Sequence, residues 1–180
     1  MQVIATIPHH RHERHVRRAS SLYPEIWSLL DQICDPEIPV LSIWDIGILT
    51  DVAMRDDEVL ITITPTYSGC PAMDAIKEDV NAHLRANGYP KTRVKVTLSP
   101  AWTTDNMTQA GQDKLREYGI APPVDAPSGC IKHFTPTEGV KCPHCSSDNT
   151  RVISEFGSTS CKALFKCDDC HEPFDFFKSI

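Results

Sequence analysis

The sequence predicts a mixed α/β (α+β) protein: a small mixed sheet with elements in the order αββαβα, followed by a short C-terminal β module held by cysteine side chains. Three observations carry this. Apolar residues between positions 21 and 120 recur with helical period in three stretches and with strand-like alternation in three others. Prolines punctuate the boundaries, with Pro122, Pro123, Pro127 and Pro136 crowding one segment. Six of the eight cysteines, from Cys130 to Cys170, lie in the last 51 residues, the skew of a small metal-stapled module.

The elements follow in order. Ser20 or Ser21 is placed to cap a helix that has Pro24 at its first position and an apolar stripe of Ile26, Trp27, Leu29, Leu30 and Ile33. Asp35-Pro36 stops it. In DPEIPVLSIWDIGIL two prolines preclude a regular helix, and Gly47 opens a strand toward Val52 and Met54. After an acidic turn, Val59, Ile61 and Ile63 alternate with threonine as a second strand, so the pair reads as a hairpin. Pro71 begins an amphipathic helix with Met73, Ile76, Val80 and Leu84 on one face, closed by Asn87-Gly88. A third strand covers Arg93 to Leu98. A loop with Trp102 leads to a last helix from about Thr108 to Tyr118, stopped by Gly119. Residues 1–20 form a His/Arg-rich arm expected to be flexible and solvated, although its His9, His10, His12 and His15 could bind metal or its charge steer an acidic partner. The folded domain then spans 21–120, a proline-rich linker 121–138, and the C-terminal module 139–180.

Composition narrows the function. With 180 residues, 41% of them hydrophobic, the chain is too apolar to be wholly disordered. Its longest apolar run is about four residues, far short of the roughly 20 a membrane-spanning helix needs. The N-terminus lacks the apolar stretch of a secretory signal, which predicts a cytoplasmic protein whose cysteines are thiols or metal ligands rather than disulfides. Without the arm the charge is −9, from 14 basic and 23 acidic residues, and phosphate binding needs cationic surface, so nucleic acid is not an expected partner.

Cys142-Pro-His-Cys145 and Cys167-Asp-Asp-Cys170 are two CxxC knuckles separated by 21 residues. Each presents two sulfurs across a tight turn, and together they offer four tetrahedral thiolates to one structural ion. Zinc is the expected metal, with iron in a rubredoxin-like site or a cluster as the rival. Strand-like Arg151 to Ile153, Ala163 to Phe165 and Phe174 to Phe177 make the module a zinc ribbon of three short strands. His144, His171, Cys161 and Cys130 are additional ligand types nearby.

Cys70 follows Gly69 after a strand and precedes Pro71 at a helix start, where free N–H groups and the helix dipole favour anions. A thiolate there is expected to have a lowered pKa and to serve as nucleophile or metal ligand; the alternative is a small buried hydrophobe at a tight turn. Asp35 and Glu37 flank Pro36 in a rigid loop, as a metal-binding pair, as acid and base, or with Asp35 as a turn residue. Cys34 beside them is a ligand candidate, with a core position at the helix end as the leading reading.

The segments DPEIPVLSIWDIGIL, TPTYSGCPAM, LSPAWTTDNMT and LREYGIAPP resemble the SufT-like family of iron–sulfur assembly domains. The run ISEFGSTSCKALFKCDDCHEPFDFFK is similar to that of accessory subunits of bacterial phenylacetyl-CoA 1,2-epoxidase systems, and the likeness spans about residues 22 to 180. The resemblance implies a cytoplasmic protein of phenylacetate catabolism, where a di-iron monooxygenase fed by a flavin and [2Fe-2S] reductase epoxidises the ring. It implies an accessory role in maturing or repairing an iron–sulfur or di-iron centre, with the oxygenase or reductase components as partners. It also carries Asp35, Glu37 and Cys70 over as the functional surface. No Glu-x-x-His motif or dinucleotide fingerprint is present, so the chain itself reads as neither the di-iron component nor the reductase. The leading expectation is transient binding of iron or an iron–sulfur cluster at Cys70, helped by Asp35 or Glu37, with a homodimer sharing ligands as one arrangement. A structural or regulatory oxygenase component and a thiol enzyme using Cys70 are the rivals.

Overall fold

The computed structural model describes residues 9–124 and 140–178, with side chains from residue 13 onward. The elements are helices α1 (His9–Ala19), α2 (Pro24–Leu30), α3 (Ala72–Ala86) and α4 (Gln109–Tyr118), and strands β1 (Leu49–Arg55), β2 (Glu58–Ile63), β3 (Thr92–Val96), β4 (Ile120–Ala121), β5 (Thr150–Ser154), β6 (Lys162–Cys167) and β7 (Pro173–Phe177). The chain divides into two compact units, Met1–Thr108 and Gln109–Ile180. No described helix is long and apolar enough to cross a membrane.

In the first unit β1 and β2 form the expected antiparallel hairpin, and β3 joins β2 in parallel after the α3 crossover. The hairpin turn is Asp56-Asp57, both at positive φ (48° and 67°), the backbone that a two-residue turn matched to strand twist requires. Val59, Ile61 and Ile63 alternate inward and meet Ile76, Val80 and Leu84 of α3 and Ile26, Trp27 and Leu30 of α2 in the core. Residues 41–48 are buried throughout yet form no regular helix or strand. Gly47 there has φ +86°, and a Cβ on it would stand 2.6 Å from the Asn106 carbonyl oxygen.

Four expectations change. Residues 9–19 of the supposed flexible arm form α1, tied down by a buried arginine described below. The first position before α2 is Tyr23, with no side-chain cap; Ser21 Oγ instead accepts the Tyr23 N–H at 3.2 Å. That helix ends at Leu30 rather than running to Ile33, since Asp31 and Gln32 turn the chain. The last helix, α4, belongs to the second unit instead of closing the first domain at 120, because β4 directly after it pairs in parallel with β7. Of the expected linker, 125–138 lies outside the described residues.

The second unit is the sheet β4-β7-β6-β5, with β5, β6 and β7 antiparallel, the three strands expected of a zinc ribbon plus one. Its core is Phe165, Phe174 and Phe176 packed with Ala163, Val140, Cys142 and Cys167, small enough that the cysteines are part of it.

Candidate metal centre

The two knuckles converge. Cys142 Sγ stands 3.7 Å from Cys170 Sγ and Cys145 Sγ 3.6 Å from Cys167 Sγ, and all four sulfurs lie within 4.8 Å of one another. Four sulfurs each about 2.3 Å from one ion stand roughly 3.8 Å apart at tetrahedral angles, so the two close pairs match that spacing and the set as a whole can surround one ion such as zinc. The sulfurs also titrate as a group. The Cys170 N–H, 3.5 Å from Cys167 Sγ, stabilises that thiolate and holds the thiol down at about 7. Cys170, although the Glu172 amide favours its thiolate, is pushed up to about 12 by burial and the neighbouring sulfurs. A cation among the four sulfurs would favour the thiolate form of all of them. Outside the knuckles Ser147 and Asn149 tie Asp169 across the site, Asn149 Nδ2 donating at 2.7 Å.

His144 and His171 stay outside this cluster, and so does Cys161, which is buried with its sulfur 3.0 Å from Thr159 Oγ1. Cys130 lies outside the described residues. Cys34, expected in the core, is exposed, because the early end of α2 turns it outward into a bridge with Ser42.

Cys70 stands just before α3, 8% exposed, after Gly69 at φ +86°. Its thiol pKa is raised rather than lowered. Burial is the largest cause, and the carboxylates of Glu37 and Asp35 add to it; hydrogen bonds from the Ala72 amide and the Tyr67 side chain oppose without prevailing. Glu37 and Asp35 therefore act electrostatically on Cys70 from 33 and 35 positions away in the chain. Among the described residues they do not form a cluster of converging donor atoms as the four cysteines do. Asp35 is buried, and its Oδ1 accepts the N–H groups of Glu37 at 2.8 Å and Ile38 at 3.0 Å, so this carboxylate shapes the turn that presents Glu37. Tyr67 was missed from the sequence; its place three residues before Cys70 in TPTYSGCP was the available signal. Beside the turn, Cys34, Asp35, Pro36, Pro39, Asp79 and His83 line a wide cleft of about 570 Å³.

Residues 24–101, which contain Asp35, Glu37 and Cys70, match the family described as iron–sulfur cluster assembly protein. Residues 126–178 match the PaaD zinc beta ribbon domain. The chain is 51% identical over 156 residues, 87% of its length and 92% of the relative's, to a protein of Escherichia coli (strain K12) provisionally named as one of the subunits of 1,2-phenylacetyl-CoA epoxidase. It is 34% identical over 93 residues to an Fe-S protein maturation auxiliary factor of Porphyromonas gingivalis (strain ATCC BAA-308 / W83), covering 51% of this chain and 88% of that one. A third relative, the Fe-S protein maturation auxiliary factor YitW of Bacillus subtilis (strain 168), is 35% identical over 91 residues, 49% of this chain and 88% of its own.

Proposed function

The chain belongs to the PaaD family of phenylacetyl-CoA epoxidase components, and on that premise we propose that it is an accessory protein that matures or repairs the iron–sulfur or di-iron centre of a phenylacetyl-CoA epoxidase system. Its cargo is iron or an iron–sulfur cluster, held transiently at Cys70 with Glu37 and Asp35 beside it. The observation that carries the reading is that one buried thiol at a helix start feels two carboxylates from a distant loop. A single sulfur with harder oxygen neighbours anchors a metal weakly enough to release it, which a closed four-thiolate site does not. Because the raised pKa keeps Cys70 protonated, loading releases a proton and strengthens as pH rises. The ribbon holds a structural zinc on Cys142, Cys145, Cys167 and Cys170 and offers a docking surface for an oxygenase or reductase component in the cytoplasm.

The test is anaerobic purification of wild type and Cys70→Ser, with metal analysis, visible absorption before and after iron–sulfur reconstitution, and iron content of the epoxidase from each strain. Iron bound by wild type alone, with an iron-poor epoxidase in the variant strain, is expected. One zinc per chain without iron in reconstituted wild type, or full epoxidase iron in the variant strain, overturns the reading. A second reading, a structural or regulatory component without metal transfer, draws on the commitment of the Asp35 carboxylate to two backbone N–H groups. Stoichiometric co-purification with the oxygenase and full activity of Cys70→Ala would favour it.

A further inference from the structure

Helix α1 docks in an unusual way. Its sequence, HHRHERHVRRA, offers Val16 and Ala19 as its only apolar residues, and Val16 is 48% exposed. A helix on a sheet ordinarily buries an apolar stripe; α1 is held by polar contacts. The buried Arg14 donates from Nε to the Leu49 carbonyl at 3.0 Å, from Nη2 to the Trp44 carbonyl at 3.0 Å, and from Nη1 to the Asn106 carbonyl. Its guanidinium lies 4.2 Å from the Trp44 ring centroid. Between this helix and the polar face of the sheet lies a cavity of about 210 Å³, room for several water molecules or a small ligand.

The walls of the cavity favour an anion. Thr62 is paired with Lys95 across β2 and β3, which puts their side chains side by side on the cavity face. The Lys95 side chain makes no hydrogen bond or ion pair among the described residues. Arg14, Arg17 and Lys95 face Glu13 and Asp51, three positive groups against two, and Arg17 and Glu13 are opposed at 3.8 Å. Asn106, only 6% exposed, lines the same space, and its Oδ1 is buried without a hydrogen-bond partner. Rotation of that carboxamide would exchange the orphaned acceptor for an N–H₂ donor.

We propose that this cavity binds a small oxyanion, the phosphate or carboxylate group of a metabolite, with Lys95 as the point charge, Thr62 and Asn106 as neutral donors, and the Arg14 charge behind them. The site is independent of Cys70 and of the ribbon.

The test titrates the full-length, zinc-loaded chain with inorganic phosphate and, separately, with citrate, at constant ionic strength with chloride as reference, following backbone amide shifts at Thr62, Lys95 and Asn106. Saturable shifts with Kd on the order of 1 mM are expected for at least one probe. Lys95→Ala should weaken binding about tenfold, while Lys91→Ala, outside the cavity, leaves it unchanged. Saturation by phosphate alone assigns a phosphate site and by citrate alone a carboxylate site. Shifts no larger than those in chloride for both probes overturn the proposal, as does wild-type affinity in Lys95→Ala, whose exposed side chain can be removed without disturbing the fold.

Discussion

Cys70 is a residue on which two tendencies compete. Helix-start amides favour the thiolate, and burial with two carboxylates favours the thiol; the thiol prevails. The position was legible in the sequence, since strand, Gly, Cys, Pro and helix follow one another. The direction of the shift was not, because Asp35 and Glu37 reach the thiol through the fold. Labelling of Cys70 by a maleimide should be slow at neutral pH and accelerate only above the usual cysteine range. Glu37→Gln removes one negative charge, lowers the pKa and should raise the labelling rate at pH 8 roughly two- to fivefold, read by mass spectrometry. The linkage has a definite sign. A group whose pKa is higher folded than unfolded stabilises the fold fully below its unfolded value, and that contribution is lost as pH rises through the folded value.

Among the elements, those with strictly local causes were the most legible. The alternation of β2, the apolar stripe of α3 and its Asn87-Gly88 end required only neighbouring residues, and they stand where the sequence puts them, whereas β3, expected to reach Leu98, ends at Val96 and leaves Leu98 61% exposed. The irregular stretch from Ile38 to Ile48 has no such periodicity, and its shape comes from side chains meeting it. Trp102 Nε1 donates to the Ile46 carbonyl at 3.0 Å, and Thr108 Oγ1 donates to Asp45 Oδ1 at 2.8 Å. Gly47 is its tightest point. In Gly47→Ala, strained φ and collision with the Asn106 backbone act together, and urea unfolding should show a loss of about 2 to 4 kcal/mol. The α1 helix was hidden for a similar reason: lacking an apolar stripe, it is stabilised by Arg14 reaching carbonyls 30 to 92 positions away.

At the scale of the whole molecule, the two units rest on different physics. The first has an aliphatic and tryptophan core shared by α2, α3 and the sheet. The second packs three phenylalanines around metal-ligating cysteines, and an ion there supplies on the order of 10 kcal/mol of apparent folding free energy. Chelation of the metal, or Cys145→Ser, should therefore abolish amide protection in β5, β6 and β7 while β1, β2 and α3 keep theirs, measured by hydrogen exchange. Acidification should do the same, since protonated thiols do not ligate. The two CxxC knuckles, the hairpin, α3 and the three ribbon strands were determined by the sequence itself, because spacing and period act over a few residues. The tertiary structure decided the docking of α1, the passage of α4 into the ribbon unit and the protonation of Cys70. Each depends on groups brought together from far along the chain, where hydrogen bonding, strand pairing and desolvation outweigh local propensity.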